Sequence, residues 1–167
     1  MIHLIWSTIN GIIVIYFFYL IFGFIRKGKK IFNPQFKIAS ILIMIIGIVQ
    51  IISAATSEKS SNRITITNNY DKTNNSKVEK ITLEDNLTLD INMLVSYSIE
   101  QNEFIPIESN SFLTGFVSGF VWEFTSIETN NYKQNESAEF IASGILKWNL
   151  FGIKVYSQGK TFRGIIE

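Results

Sequence analysis

The carboxylates are the side chains of this chain whose type and spacing could do chemistry. Glu84 and Asp85 are adjacent, Asp90 follows shortly after them, and Glu100 lies close to Glu103. A hydrolase that works with two acids needs them across one cleft. Adjacent acids beside a turn are more typical of a solvated rim, so a hydrolase with an acidic site is the least favoured of three hypotheses.

Other catalytic residue types are scarce. The chain has no cysteine, and its single histidine, His3, is distant in sequence from these acids. Residues 56–167 therefore lack the usual general base, nucleophile and transition-metal ligands. A Ca²⁺ site made from the acids would lack the ordered Asp-x-Asp-x-Asp-Gly spacing. The sequence predicts that the protein is not an enzyme and has no catalytic, cofactor-binding or metal-binding residues.

Two uncharged apolar runs stand at the start of the chain, IHLIWSTINGIIVIYFFYLIFGFI (2–25) and IASILIMIIGIVQIISAA (38–55). Both are long enough to cross a bilayer as helices, the form that pairs every backbone N–H and C=O within lipid. The first run has no basic segment before it and is too long for a cleaved signal peptide. The sequence therefore predicts a two-helix transmembrane hairpin over 1–55, in contact with membrane lipid.

The charge pattern predicts which way the hairpin faces. Five basic residues lie in the loop 26–37 between the runs, and the positive-inside rule places such a loop in the cytoplasm. The N-terminus and residues 56–167 would then both lie outside the cytoplasmic (inner) membrane of a bacterium. The basic residues that set this topology are Arg26, Lys27, Lys29, Lys30 and Lys37.

Polar residues within the two runs predict contacts between the helices. Asn10 and Gln50 would reach similar depths in antiparallel helices, so a mutual hydrogen bond that pins the hairpin is favoured over a polar contact for a partner. His3 and Trp6 are expected at the membrane interface.

The remainder of the chain is predicted to be a polar linker (56–77), in which RITIT (63–67) could form a short strand, followed by a β-rich domain (78–167). The stretch ITLEDNLTLDINMLVSYSIE (81–100) alternates apolar and polar residues, as a half-buried strand does. Its link Glu84-Asp85-Asn86 predicts a turn between two paired strands. The predicted dry face consists of Leu87, Leu89, Ile91, Met93, Val95, Tyr97 and Ile99.

Two later segments, 112–127 and 136–150, fit both a helical and a strand pattern. Gly115 and Gly119 disfavour a helix in the first of them. The fold is thus predicted to be mainly β, or α+β if both segments are helical. GIKVYS and KTFRGII, separated by Gln158-Gly159, predict a terminal hairpin.

Two pieces of the chain resemble stomatin/prohibitin/flotillin (SPFH) domains. ITLEDNLTLDINMLVSYSIE is similar to that family's Thr-x-Asp, alternating strand and Tyr-x-Ile pattern, and FGIKV (151–155) resembles its late Gly-Ile-x-Val strand. The resemblance implies a membrane scaffold that assembles into rings or patches and carries no catalytic residues. It also implies that 112–127 and 136–150 are helices.

A second resemblance concerns architecture alone. Two spans followed by a β-rich domain are similar to membrane effectors of cyclic-nucleotide antiphage systems, in which a small barrel binds the nucleotide and the spans disrupt the membrane. This would require a cytoplasmic barrel and a basic pocket, for which the candidates are Arg63, Lys147, Lys154 and Arg163.

The favoured hypothesis is a non-enzymatic interaction or scaffold protein. Its predicted partners are membrane lipid and either a membrane protein or a second copy of the chain. Residues 56–167 contain fourteen acidic and ten basic residues, and their aromatic residues are not interleaved with Lys or Arg. These features argue against a nucleic-acid partner.

Overall fold

The structure is a computed structural model, and it describes residues 2–56, 62–66, 76–100, 103–131, 138–150 and 152–166. Helix α1 (Ile2–Lys27) is followed by a 3₁₀ turn (Gly28–Ile31) and helix α2 (Lys37–Thr56). Seven strands come next: β1 (Arg63–Thr65), β2 (Lys77–Asp85), β3 (Leu89–Glu100), β4 (Glu103–Gly115), β5 (Phe120–Asn131), β6 (Ala138–Leu150) and β7 (Ile153–Ile166).

The first helix is long and apolar enough to cross a membrane. Together with the 3₁₀ turn it covers Ile2–Ile31, and only 17% of its most apolar stretch is buried in the protein. Among the described residues it is the one helix of full spanning length, and the apolar part of the second helix over Lys37–Val49 is shorter. The two helices touch through a hydrogen bond of 2.8 Å between the hydroxyls of Tyr16 and Ser40.

The strands form two antiparallel sheets, in the orders β1-β4-β3-β2 and β5-β6-β7. The predicted mainly β domain is therefore confirmed, and β1 lies within the stretch predicted to be a linker. The two segments of ambiguous pattern contain strands where the SPFH resemblance implies helices. Segment 112–127 is divided between β4 and β5 by a turn at 116–119, and 138–150 is the single strand β6.

The alternating strand β3 supplies the centre of the core. Its residues from Leu89 to Tyr97 on the predicted dry face are buried, and Ile99 packs against the same cluster. The prediction was wrong for Leu87, whose side chain is 88% exposed, because this residue lies in the β2–β3 turn before the strand begins.

The predicted hairpin at Gln158-Gly159 was also wrong. β7 runs straight through both residues, which pair with Leu146 and Ile145 of β6. The turn lies earlier in the chain, where Gly152 adopts a φ of 78° that favours glycine.

The second sheet faces the first with large aromatic side chains. Trp122 is buried, and its indole N–H donates to the Ser111 hydroxyl of β4 at 2.8 Å. The side-chain amide of Asn62 joins the sheets at their shared edge, because it donates to the carbonyl of Trp122 and accepts from the N–H of Phe124. The space between the sheets is thus filled by side chains. The buried apolar residues of this cluster are Leu89, Ile91, Met93, Val95, Tyr97, Phe120, Trp122, Phe124, Ala138, Phe140, Ala142, Leu146, Trp148 and Ile166.

Candidate functional site

The described acidic residues Glu84, Asp85 and Asp90 make separate contacts. Glu84 accepts hydrogen bonds of 2.7 and 2.5 Å from the Lys160 ammonium and one of 2.7 Å from the side-chain amide of Asn86. Asp90 accepts instead from the Asn86 N–H at 3.4 Å, and Asp85 is exposed. The side chains of Glu100 and Glu103 lie outside the described residues. Within the described ranges, the structure contains no group of three His, Cys, Asp or Glu side chains that could hold a metal ion.

The Glu84–Lys160 ion pair joins the free edges of the two sheets, since Glu84 belongs to β2 and Lys160 to β7. The register between β2 and β3 shifts between Thr82 and Glu84, an irregularity that can re-aim a side chain. Partial burial alone would raise the pKa of Glu84, but the bonds from Lys160 and Asn86 and the charge of Lys160 outweigh burial and hold this pKa below its usual range. The carboxylate is therefore kept ionised as a structural contact.

The four cations proposed for an anion pocket are placed apart. Arg63 forms an ion pair with Glu108 within the first sheet. Lys147 forms one with Glu123 within the second sheet. Lys154 and Arg163 are exposed on β7. Two of the four cations are therefore already neutralised by carboxylates.

The start of α1 packs against aromatic residues at one end of the β domain. The ring of His3 lies 5.4 Å from that of Phe120 and 5.1 Å from that of Trp148, measured between centroids. The ring of Trp6 lies 5.7 Å from that of Trp148. The start of α1 thus closes one end of the core between the sheets, as the contact of Trp6 with the core cluster also shows.

Side-chain donors on α1 fasten this contact. The Trp6 indole N–H donates to the carbonyls of Gly119 and Asn149, at 3.3 and 3.2 Å. The Ser7 hydroxyl lies 3.1 and 3.0 Å from the carbonyls of Phe116 and Ser118. These four acceptors belong to the β4–β5 turn and to the end of β6. The Gly119 carbonyl also accepts the backbone N–H of Asn149 at 2.7 Å, so the Trp6 indole is a second donor to it. The helix thus adds side-chain donors to backbone carbonyls at this end of the β domain.

The predicted contact between Asn10 and Gln50 is only half described. Asn10 is buried, donates to the carbonyl of Trp6, and packs against Gly119 of the β domain. Gly119 has a φ of 81°, and a Cβ there would come within 2.5 Å of the Asn10 amide nitrogen. The side chain of Gln50 lies outside the described residues, so its part in this contact stays a prediction.

A groove of about 410 Å³ lies beside this junction, between α1, α2 and the end of the β domain. The Asn149 side-chain oxygen is buried and has no hydrogen-bond partner among the described residues. The groove wall is mainly apolar, and the groove can therefore accept an apolar chain. Its lining includes Asn10, Val14, Phe17, Gly47, Ile51, Phe120, Val121 and Asn149.

The basic residues predicted to set topology lie at the other end of the helix. Arg26 and Lys27 are in the last turn of α1, Lys29 and Lys30 are in the 3₁₀ turn, and Lys37 begins α2. The start of α1 and its basic end are therefore separated by the length of the helix.

The interfacial position of Trp6 stays a prediction, and sequence reasoning missed the contacts that Trp6, Ser7 and Ser40 make. A hydroxyl in an apolar run was the available signal, because such groups need an acceptor in lipid. The acceptors could not be found in this way, since backbone carbonyls carry no residue signature. Comparison with family models, with curated proteins and with solved structures finds no match for this chain.

Proposed function

We propose that the chain is a membrane-anchored, non-enzymatic interaction module in which a two-helix transmembrane hairpin holds a β domain at the membrane surface. The observation that carries this proposal is the set of hydrogen bonds from Trp6 and Ser7 to the β-domain carbonyls. A loose tether keeps a domain near a membrane, whereas a docked helix also fixes which face of the domain points away from it. Fixed orientation is what a surface needs in order to meet a membrane partner repeatedly in one geometry.

The arrangement of the helices supports two spans and an extracytoplasmic domain. The second helix is 20 residues long with an apolar part over Lys37–Val49, and the bond between Tyr16 and Ser40 sets it beside α1. The β domain packs on the start of α1, while Arg26 and Lys27 lie at its other end. The domain and the basic loop would thus lie on opposite sides of the bilayer, with the basic loop in the cytoplasm.

The partner is expected to bind the outside of the β domain, because its interior is filled. Val78 and Ile165 are 62% and 56% exposed near the end opposite α1, where an approaching membrane protein or second copy would meet them. Side-by-side contacts between copies through Val78 and Ile165 would give the patch expected of a membrane scaffold.

Extraction of the full chain in detergent tests whether its copies assemble. The full chain would be extracted from its native membrane in a mild detergent, and its mass measured by light scattering during size-exclusion chromatography. We expect a complex larger than the 19.1 kDa monomer, and substitution of Val78 and Ile165 by Ser should reduce its mass. Substitution of the exposed residue Ser126 by Ala is the control. A homogeneous monomer would refute the scaffold function.

Sidedness is tested independently, since the chain contains no cysteine. Ser126→Cys places one thiol on the exposed face of β5, away from α1. A membrane-impermeant maleimide should label this thiol in intact spheroplasts, and Lys30→Cys in the basic loop should be labelled only after lysis. The reverse pattern would place the domain in the cytoplasm and contradict the proposed orientation.

A further inference from the structure

Within the part of the β domain that the structure describes, the exposed apolar side chains are concentrated at one end. Eight large apolar side chains are exposed in the described strands and turns, and six of them surround the start of α1. The other two, Val78 and Ile165, lie near the opposite end. We call the six the apolar rim: Leu87, Phe116, Val121, Ile153, Val155 and Tyr156.

Contacts fix the place of each part of the rim. The N–H of Phe116 donates to the carbonyl of Thr88, so the turn with Leu87 lies beside the turn with Phe116. The carbonyl of Phe116 in turn accepts from Ser7 of α1.

The second part of the rim comes from β5 and from the β6–β7 turn. Val121 and Gly152 line the groove against the helices, and Ile153 follows Gly152 directly. Tyr156 pairs with Trp148, whose ring contacts that of Trp6. Two different regions of the chain thus bring apolar side chains to the same level of α1.

That level coincides with the surface of a bilayer that α1 spans. From Trp6 to Arg26 the helix rises by about 30 Å, which is the thickness of a hydrocarbon core. With Arg26 at one interface, Trp6 lies at the other, where Trp side chains concentrate. Ile5 and Ile9 flank Trp6 and are 57% and 42% exposed, so the helix surface is already apolar at the height of the rim.

The rim also continues into the apolar surface of the helices. The groove runs from Val121 to Phe18 and Ile51, whose side chains are 47% and 55% exposed. Lys154 is exposed between Ile153 and Val155, and a lysine in this position can lay its stem on apolar surface while its ammonium reaches lipid headgroups.

We propose that the apolar rim is a lipid-binding surface that inserts into the leaflet nearest the β domain. The inference rests on the proposed membrane anchoring and adds a second point of attachment. The rim side chains bury in the boundary between headgroups and acyl chains, and the groove receives an acyl chain from the same leaflet. The domain is then held to the bilayer by its own turns as well as by α1.

The test uses single cysteines in the full chain, labelled with an environment-sensitive fluorophore. The labelled protein is reconstituted into phosphatidylcholine vesicles with and without nitroxide-labelled lipid. Labels at Leu87→Cys and Phe116→Cys probe the rim, and Ser126→Cys is the control at an exposed position of β5 away from α1. Ile15→Cys, at a position 71% exposed within α1, reports whether the helix is inserted.

We expect nitroxide quenching at Leu87 and Phe116 to be at least about twofold stronger than at Ser126, because interfacial side chains lie within reach of the lipid quencher. Equal quenching at Leu87, Phe116 and Ser126, with strong quenching at Ile15, would overturn the rim and leave the anchoring intact. Absence of quenching at Ile15 would overturn the anchoring itself, and the rim proposal with it.

Discussion

The interface between the two sheets and the interface between α1 and the sheets are held by different forces. The first buries a continuous cluster of aliphatic and aromatic side chains, with Trp122 and Ser111 joined inside it. The second is small and relies on side-chain donors of Trp6 and Ser7 aimed at backbone carbonyls. Burial supplies most of the folding free energy, whereas directional bonds fix geometry. The sheet interface should therefore determine whether the domain folds, and the helix interface how it is oriented.

Trp122→Ala should have the largest effect on the sheet interface. The indole is 3% exposed, and its removal leaves a cavity and takes the donor from Ser111. Truncations of this kind cost about 3–5 kcal/mol, a large share of the stability of a small domain. Thermal unfolding of the full chain in detergent, followed by near-UV circular dichroism, should show a much lower midpoint or no folded domain.

Trp122→Phe separates the two contributions of this side chain. It keeps most of the apolar volume and loses the hydrogen bond, so the expected cost is nearer 1 kcal/mol, apart from the loss of packing. Equal losses of stability in Trp122→Ala and Trp122→Phe would mean that the hydrogen bond, and not burial, contributes most to the sheet interface.

Gly144→Ala should give the next largest loss of stability. A Cβ at this position would overlap the Trp122 ring and lie 2.7 Å from the carbonyl oxygen of Glu123. Overpacking of a core costs about 1–3 kcal/mol. Gly159→Ala is the control on the neighbouring strand, since a Cβ there meets nothing within 4 Å. A Gly144 variant as stable as the Gly159 variant in the same unfolding assay would contradict the tight packing between the sheets.

The helix interface is probed by the double variant Trp6→Phe/Ser7→Ala. Each lost hydrogen bond is worth about 1 kcal/mol, too little to unfold the domain but enough to loosen its attachment. The distance distribution between spin labels at Ser126→Cys and Lys30→Cys, measured by pulsed electron resonance in vesicles, should broaden. The unfolding midpoint of the domain should change little.

Thr8→Val is the matched control for that experiment. The Thr8 hydroxyl bonds to the carbonyl of Leu4 within α1 and makes no contact with the β domain among the described hydrogen bonds. In Thr8→Val, the distance distribution between the spin labels at positions 126 and 30 should therefore equal that of the chain with Thr8. A double variant with an equally narrow distribution would show that burial alone orients the domain.

The same contrast explains what the sequence could predict. The dry face of β3 was found because a strand at the centre of a sheet repeats its burial every second residue. The hairpin at Gln158-Gly159 failed because both residues are exposed and pair with β6, so tertiary pairing overrode the local turn signal.

The contacts between α1 and the β domain could not be predicted from a sequence pattern. Trp6 and Ser7 can be recognised in the sequence as hydrogen-bond donors within an apolar run. Their acceptors are the backbone carbonyls of Phe116, Ser118, Gly119 and Asn149. A carbonyl belongs to every residue, and its availability depends on the turn in which it lies. The apolar rim was missed for a related reason, because it is assembled from turns that are distant in sequence.

The smallest expected effect concerns the ion pair that closes the free edges of the sheets. The pKa of Glu84 is lowered in the folded protein, because the bonds from Lys160 and Asn86 outweigh partial burial. A lowered pKa stabilises the fold above the unfolded pKa of a glutamate, and this stabilisation is lost as the pH falls through the folded pKa. Glu84→Gln should thus lower the unfolding midpoint at neutral pH, and its difference from the unsubstituted chain should shrink below about pH 4.

Lys160→Met should remove the same contribution from the other side and give a similar pH profile. Both side chains are partly exposed, at 22% for Glu84 and 14% for Lys160, so water and salt screen the pair and its effect stays below that of the core substitutions. The difference in unfolding midpoint between Glu84→Gln and the unsubstituted chain could instead stay constant from neutral to acid pH. That result would show that packing, and not charge, holds the edges of β2 and β7 together. The ion pair would then belong with the sheet interface, whose strength comes mainly from packing.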